Sequence, residues 1–235
     1  MVYFLSLGSA TASEVRDNNP PYPGLKYFNR DGVEGWEGLL SFTALFDSTR
    51  VKDKFTVRIE LTTEPNRLPK VMEIGGRTDM ILAKWVAKGK AKSLADLHVN
   101  SQDQSICLCP RPEEKKISFE MPKLEDFIQK LVIPYFFGLH EYEKTGKWIW
   151  GQYSHGDLGI LEYYLEHRND KNPTLLSDCL ISLTFSPTKK QFNGREKCLC
   201  GSRLKFKKCH RKALQGYKAI REDQVKLELT PHSKV

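Results

Sequence analysis

Four side chains near the end of the sequence have the types and the spacing that bind a metal ion. Cys198 and Cys200 are separated by one residue, and Cys209 and His210 are adjacent. Two thiolates close in sequence can hold one side of a zinc ion, and a cysteine–histidine pair can complete the tetrahedron. Gly201 permits a tight turn beside the first pair. The pattern therefore predicts a structural Zn²⁺ site, with free thiols or a disulfide as the alternative.

The stretch CLCGSRLKFKKCHR at residues 198–211 resembles the SEC-C motif, which is found at the end of the bacterial secretion ATPase and in many other proteins. The Gly-Ser pair after the second cysteine and the aromatic residue before Lys-Lys-Cys-His carry the resemblance. It implies a recruitment module and not a catalytic one, because protein ligands would fill all four positions of the metal. The metal would supply the folding free energy that so small a core lacks.

The metal-binding stretch is also strongly basic, within a chain of net charge +8. Its cations are Arg203, Lys205, Lys207, Lys208, Arg211 and Lys212. Such a patch can attract nucleic acid, an acidic membrane or an acidic protein. A solvated face that keeps a small module in solution is the plainer interpretation, because charge alone does not select a partner. No RNA- or DNA-recognition motif is evident, so neither nucleic acid nor a membrane is the expected partner.

A second group of reactive side chains lies near the middle of the chain. His98 and Asn100 belong to the sequence HVN, and Cys107 follows in the sequence ICL. A cysteine thiolate is a strong nucleophile and forms thioesters readily. Cys109, two residues further on, is a competing thiol. Each of the two cysteines could instead be an ordinary buried core residue.

The order of segments around this cysteine resembles that of a ubiquitin-conjugating enzyme. Three strand segments, the last containing PKV at 69–71, are followed by HVN at 98–100 and by ICL at 106–108. The comparison covers residues 35–142. It implies an α+β fold in which an antiparallel meander packs on helices and the active loop lies beside the sheet.

The same resemblance implies a reaction and a set of roles. Cys107 would accept an acyl group from the C-terminus of a protein and pass it to an amine. Asn100 would stabilise the oxyanion, which can contribute ~3 kcal/mol, and His98 would brace the loop. The partner implied is a protein with a conjugatable C-terminus, with or without a separate activating enzyme.

The sequence departs from the family pattern at three places. Val99 replaces the proline of the motif, the spacing from His98 to Cys107 is nine residues instead of ten, and residues 76–95 form an insertion. The pieces GKW at 146–148 and SHG at 154–156 resemble bacterial relatives in type II CBASS anti-phage operons. Those relatives accompany a cGAS-like nucleotidyltransferase, which the resemblance makes the candidate partner in antiviral defence.

Hydrophobic periodicity predicts the elements that must position these residues. Apolar patterns typical of strands lie at 38–48, 54–63, 69–74 and 180–187. Apolar residues three or four positions apart predict helices at 78–90, 123–143 and 157–167. The first two strands should pair as an antiparallel hairpin, and Pro134 should kink or divide the second helix.

Two domains are predicted: a ubiquitin-conjugating-enzyme-like domain over 1–187, and a linker with the zinc module over 188–235. Residues 1–15 lack the basic start of a secretory signal and are taken as the first segment of the folded domain. Residues 15–36 are predicted to be an extended, irregular entry. Trp148 and Trp150 are expected to anchor the core or a loop, and Cys179 to be a core residue.

Composition limits the alternatives. No apolar run reaches the ~18 residues of a membrane-spanning helix, and six cysteines in 235 residues are too few for a disulfide scaffold. Reduced thiols and a cytoplasmic location are therefore expected. Besides the transferase, two other functions fit: a catalytically inactive adaptor that docks partners through its zinc tail, and a basic zinc protein that binds nucleic acid.

Overall fold

The computed structural model of the protein describes residues 22–64, 67–120, 123–150, 152–170, 172–184 and 192–229. The chain divides into two compact units. The N-terminal unit takes in the chain up to Cys109 together with Glu113–Gly151, and the C-terminal unit takes in Pro110–Pro112 and Gln152–Val235. The segment at 1–15 and most of the linker before residue 192 lie outside the described residues.

A four-stranded antiparallel meander forms the sheet of the N-terminal unit, with its strands in chain order. The strands are β1 (Leu25–Arg30), β2 (Val33–Phe46), β3 (Thr49–Glu60) and β4 (Lys70–Glu73). The predicted hairpin is confirmed as the β2–β3 pair, in which Phe46 pairs with Thr49. Alternating residues of β3 are fully buried, among them Phe55, Val57 and Ile59, as a strand with one face on the core requires.

The prediction of an irregular segment over 15–36 is wrong from residue 25 onwards. Asp31 and Gly32 both have positive φ, at 55° and 76°, which is the conformation of a two-residue hairpin turn. The turn brings β1 back against β2, where Leu25 pairs with Gly38. The polar, proline-rich composition just before β1 hid this short strand.

Helices follow the sheet in the N-terminal unit. They are α1 (Arg77–Ala87), a 3₁₀ turn (Leu94–Leu97), α2 (Glu114–Glu120), α3 (Leu124–Phe127) and α4 (Ile133–Thr145). A second 3₁₀ turn (Arg111–Glu113) precedes α2, and its last residue belongs to this unit. A π-helical turn at Ile128–Val132 joins α3 to α4. Pro134 has no N–H to continue the regular α-helical bonding, so the predicted disturbance takes the form of a widened turn.

The C-terminal unit consists of helices around its own core. They are α5 (Asp157–His167), α6 (Leu175–Ser182), α7 (Phe206–Cys209) and α8 (Arg211–Leu229). The predicted strand at 180–187 is wrong in its described part, because α6 extends to Ser182. Leu175 and Cys179, four positions apart, are the buried residues of α6, which is the spacing of one helical face.

The boundary between the units differs from the predicted division after residue 187. Helix α5 packs on α8 instead of joining the sheet, and a Cβ at Gly216 would lie 1.9 Å from the carbonyl oxygen of Leu161. Such close packing assigns α5 to the same unit as the metal-binding stretch. In the part of the chain that the structure describes, no helix is long and apolar enough to cross a membrane.

Candidate functional site

The four predicted metal ligands converge on one point. Their ligand atoms all lie within 4.8 Å of one another. Cys198 Sγ is 3.1 Å and Cys209 Sγ 3.2 Å from Nδ1 of His210, and Cys200 Sγ is 3.5 Å from Cys209 Sγ. A tetrahedral zinc ion with Zn–S bonds of ~2.3 Å would separate its sulfur ligands by about 3.8 Å. The donor set therefore fits one small tetrahedral metal ion.

Short-range backbone contacts bring the two ligand pairs together. The amide of Cys198 donates to the carbonyl of Leu204 at 2.8 Å, and Lys197 and Lys205 form an isolated β-bridge. Gly201 has a φ of 78°, so the predicted tight turn after the first pair is confirmed. The ligand geometry is thus set within a few residues of the ligands themselves.

Three aromatic rings pack together in the core beside the metal ligands. Phe206 is fully buried and lies 5.2 Å from the ring of Phe192, which stacks on Tyr217 of α8 at 4.5 Å. These rings supply most of the apolar contact near the ligands. The basic residues of 203–212 are all exposed, as are Leu199 and Leu204, so the cationic stretch forms a solvent-facing surface.

The thiols of the cluster differ in acidity. Burial raises the pKa of Cys198 to about 11. Burial also acts to raise the pKa of Cys200, but hydrogen bonds from Ser202 and from the neighbouring thiols outweigh it and lower that pKa to about 6. Because a metal binds the thiolate, binding must release the proton of Cys198, whereas Cys200 is already ionised at neutral pH.

The second predicted group, His98, Asn100 and Cys107, lies in one short loop of the N-terminal unit. The amide of Cys107 donates to the carbonyl of His98 at 2.7 Å, and the amide of Asn100 donates to the carbonyl of Ser105 at 2.8 Å. Asn100 Oδ1 accepts from the amide of Gln102 at 3.2 Å. These bonds close the loop and hold the side-chain oxygen of Asn100 against the amide of Gln102.

The loop is attached to the sheet at β4. The amide of Ile106 donates to the carbonyl of Val71 at 2.7 Å, and Lys70 Nζ lies 2.9 Å from Asp103 Oδ2. Desolvation acts to raise the pKa of Asp103, but hydrogen bonds from Ser105 and the ion pair with Lys70 lower it to about 2. The carboxylate therefore stays ionised across the physiological range.

The two thiols of this region are not equivalent. Cys107 is exposed, whereas Cys109 is partly buried. Desolvation by the surrounding protein raises the pKa of Cys107, and the negative charges of Glu114 and Asp103 add to this effect. Burial raises the pKa of Cys109 further. Cys107 is thus the more accessible thiol, and its raised pKa disfavours the thiolate.

A cluster of charged side chains that the sequence did not reveal ties β3, α1 and α4 together. Arg77 donates to both carboxylate oxygens of Asp53 at 2.8 and 2.9 Å and to Glu143 at 2.6 Å. His140 Nδ1 lies 2.5 Å from Asp53, and the guanidinium lies 4.3 Å from the ring centroid of Phe55. The residues of this cluster are far apart in sequence, so their spacing does not predict the cluster.

The remaining predicted side chains have structural positions. Trp148 and Trp150 pack against the core of the N-terminal unit, and Cys179 is fully buried in the C-terminal unit, as expected. His155, in the SHG piece at 154–156, is exposed just before α5. All six cysteines are free thiols.

Comparison with known families matches one part of the chain. Residues 195–212 match the SEC-C motif, and this match contains the four residues of the Cys/His cluster. No curated protein and no solved structure matches the chain. The motif match and the cluster together identify a metal-binding module at this end of the protein.

Proposed function

We propose that the protein is an acyltransferase of the ubiquitin-conjugating type, with Cys107 as the thiol that carries the acyl group. One observation carries the proposal: His98, Asn100 and the exposed Cys107 share one loop beside β4 of a four-stranded meander. A thiol that must reach the C-terminus of another protein has to lie at the surface. An amide donor beside it can stabilise the oxyanion of each acyl transfer.

The proposed reaction has two steps. The Cys107 thiolate attacks the carbonyl carbon of an activated acyl group on a separate activating enzyme; a C–S bond forms and the donor's leaving group departs. A lysine amine, after losing a proton to solvent, then attacks the same carbon. The amide bond forms, the nitrogen gives up its second proton to solvent, the C–S bond breaks, and Cys107 leaves as a thiolate.

The metal module has an accessory role in this proposal. Its four ligands would hold Zn²⁺ as a structural ion, because their thiolate and imidazole donors suit that metal and fill its tetrahedral shell. The exposed cations of 203–212 would then form a docking surface. We place the protein in the cytoplasm, where free thiols persist, and in antiviral defence of the type II CBASS kind, with a cGAS-like nucleotidyltransferase as the conjugated partner.

A peptide thioester ending in glycine tests the first step without knowledge of the natural partner. Incubation with the full chain should give an adduct of the peptide's mass that a reducing thiol removes. The Cys107→Ala variant should give no adduct at this site, whereas Cys109→Ala should behave as the unaltered protein. An adduct of equal yield in Cys107→Ala would refute the assignment of the thiol.

Free lysine tests the second step. It should cleave the Cys107 thioester faster than it cleaves the same thioester on the urea-unfolded chain. Equal rates would favour the alternative, a catalytically inactive adaptor that docks partners through its metal module. The raised pKa of Cys107 supports that alternative, because a protonated thiol is a poor nucleophile.

A further inference from the structure

Two side chains from distant parts of the N-terminal unit donate hydrogen bonds to successive carbonyls just before the reactive loop. The indole Nε1 of Trp148 donates to the carbonyl of Asp96 at 3.0 Å. The hydroxyl of Tyr135 donates to the carbonyl of Leu97 at 2.8 Å. These carbonyls belong to the last residues of the 3₁₀ turn, which otherwise leaves them without a partner at its end.

The next carbonyl along the chain is that of His98, and it accepts from the amide of Cys107 at 2.7 Å. His98 has a φ of 55°, in the left-handed region that a non-glycine residue adopts at a cost. The surrounding contacts must therefore hold it there. Its ring lies 5.0 Å from that of Trp148, so the same indole contacts His98 as well as the turn.

Tyr135 is suited to a fixed, donor-only role. Its side chain is buried on α4, and its ring contacts those of Trp148 and Phe136. Burial raises the pKa of Tyr135, so its hydroxyl keeps its proton. If that hydroxyl were removed, the carbonyl of Leu97 would lose the bond on which it depends.

We infer that Tyr135 is a positioning residue for Cys107, assisted by Trp148. The hydroxyl fixes the carbonyl of Leu97, this fixes the left-handed conformation of His98, and the carbonyl of His98 then holds the amide of Cys107. The catalytic meaning of this chain of contacts rests on the proposed function. The positioning is a property of the fold and can be measured on its own.

Amide hydrogen exchange of the full-length protein, followed by NMR, tests the positioning directly. In Tyr135→Phe, exchange of the Cys107 amide should accelerate by about tenfold, because the buried carbonyl of Leu97 then lacks its hydrogen-bond donor and the loop opens more often. The neighbouring amide of Ile106 is bonded to Val71 of β4 instead, and its exchange should stay unchanged. Equal acceleration of both amides would mean general destabilisation and would overturn the inference, as would no acceleration at all.

Two further variants guard against a change that merely disturbs the core. The ring of Tyr142 also contacts Trp148. Tyr142→Phe removes a hydroxyl from the same group of aromatic residues and should leave the exchange rate of the Cys107 amide unchanged. Trp148→Phe keeps a ring but removes the donor to Asp96, and should accelerate exchange in the same direction as Tyr135→Phe. An equal effect of Tyr142→Phe would overturn the specific role of Tyr135.

The pH profile of Cys107 alkylation by iodoacetamide gives a second readout. Loosening the loop admits water to the thiol, so Tyr135→Phe should shift the alkylation profile to lower pH. The same variant should slow lysine cleavage of the peptide thioester. If exchange and alkylation change but no thioester ever forms on the unaltered protein, the proposed function fails while the positioning stands. An unchanged alkylation profile would refute the positioning of the thiol.

Discussion

The metal module and the loop of Cys107 both present cysteines, but they are held by different means. All four ligands of the module come from residues 198–210, and a bridge between Lys197 and Lys205 aligns them. The loop at 98–107 is closed by a few local bonds and is then fixed by side chains that lie 38 and 52 residues away from the carbonyls they contact.

The difference shows what each region needs in order to fold. Within residues 198–210 the module buries few side chains, of which Phe206 is the most deeply buried. We therefore expect a bound ion to supply much of its order. The loop is held by bonds from β4 and α4 of a large core. Changes to the core should therefore disturb the loop, and changes to the ligands should not.

The largest expected effect on a reaction rate concerns the proposed role of Asn100. Asn100→Ala should slow lysine cleavage of the Cys107 thioester by about a hundredfold, because Asn100 is the oxyanion donor in the proposed mechanism. Gln102→Ala is the matched control. Gln102 bonds to Asn100 through its backbone amide, which this substitution keeps. Equal rates for Asn100→Ala and the unaltered protein would show that the loop does not act through this amide.

Removal of the metal should separate the two regions. Cys209→Ser, or a zinc chelator, should remove an ion whose binding contributes ~10–16 kcal/mol in comparable structural sites. The NMR signals of 197–206 should lose their dispersion, while Cys107 keeps its rate of alkylation. Cys109→Ser is the control, and it should leave the metal content of the protein unchanged. Loss of Cys107 reactivity on chelation would contradict the independence of the two sites.

The cluster of charged side chains around Arg77 tests the core that supports the loop. Arg77→Met leaves the carboxylates of Asp53 and Glu143 without their cation, which should lower the free energy of unfolding of the N-terminal unit by about 2–3 kcal/mol. The value lies below that of a fully buried pair because the Arg77 side chain is 25% exposed. Urea unfolding followed by tryptophan fluorescence measures it, with the exposed Arg50→Ala as control. A change as small as the control's would show that the cluster does not stabilise the N-terminal unit.

The smallest effect is the pH dependence of the loop thiol. Desolvation and two nearby carboxylates raise the pKa of Cys107, so its thiolate fraction at pH 8 should be below that of an unstructured peptide. Alkylation of Cys107 should accordingly be slower than that of the peptide at pH 8. It should also keep rising at a pH where the peptide has reached its plateau. A profile that coincides with the peptide's would mean that the loop does not desolvate the thiol.

Much of the fold follows from local patterns, and the errors have local causes. Phe55, Val57 and Ile59 alternate, so β3 and its hairpin partner were predictable. The proline-rich sequence before β1 conceals that strand. The apolar run at 180–184 predicts a strand where α6 ends at Ser182, because so short a run fits either element. Helix α8 was not predicted, although Ala213, Tyr217 and Ile220 repeat at helical spacing.

The sequence by itself determined the metal ligands, because Cys198, Cys200, Cys209 and His210 lie close enough along the chain for their spacing to define the site. Only the tertiary structure decided that Tyr135 and Trp148 brace the loop of Cys107, that Arg77 joins three elements, and that α5 packs on α8. Periodicity records which face of an element is buried, but not which distant residue meets it. Contacts between elements depend on how the whole chain packs, and no short segment contains that information.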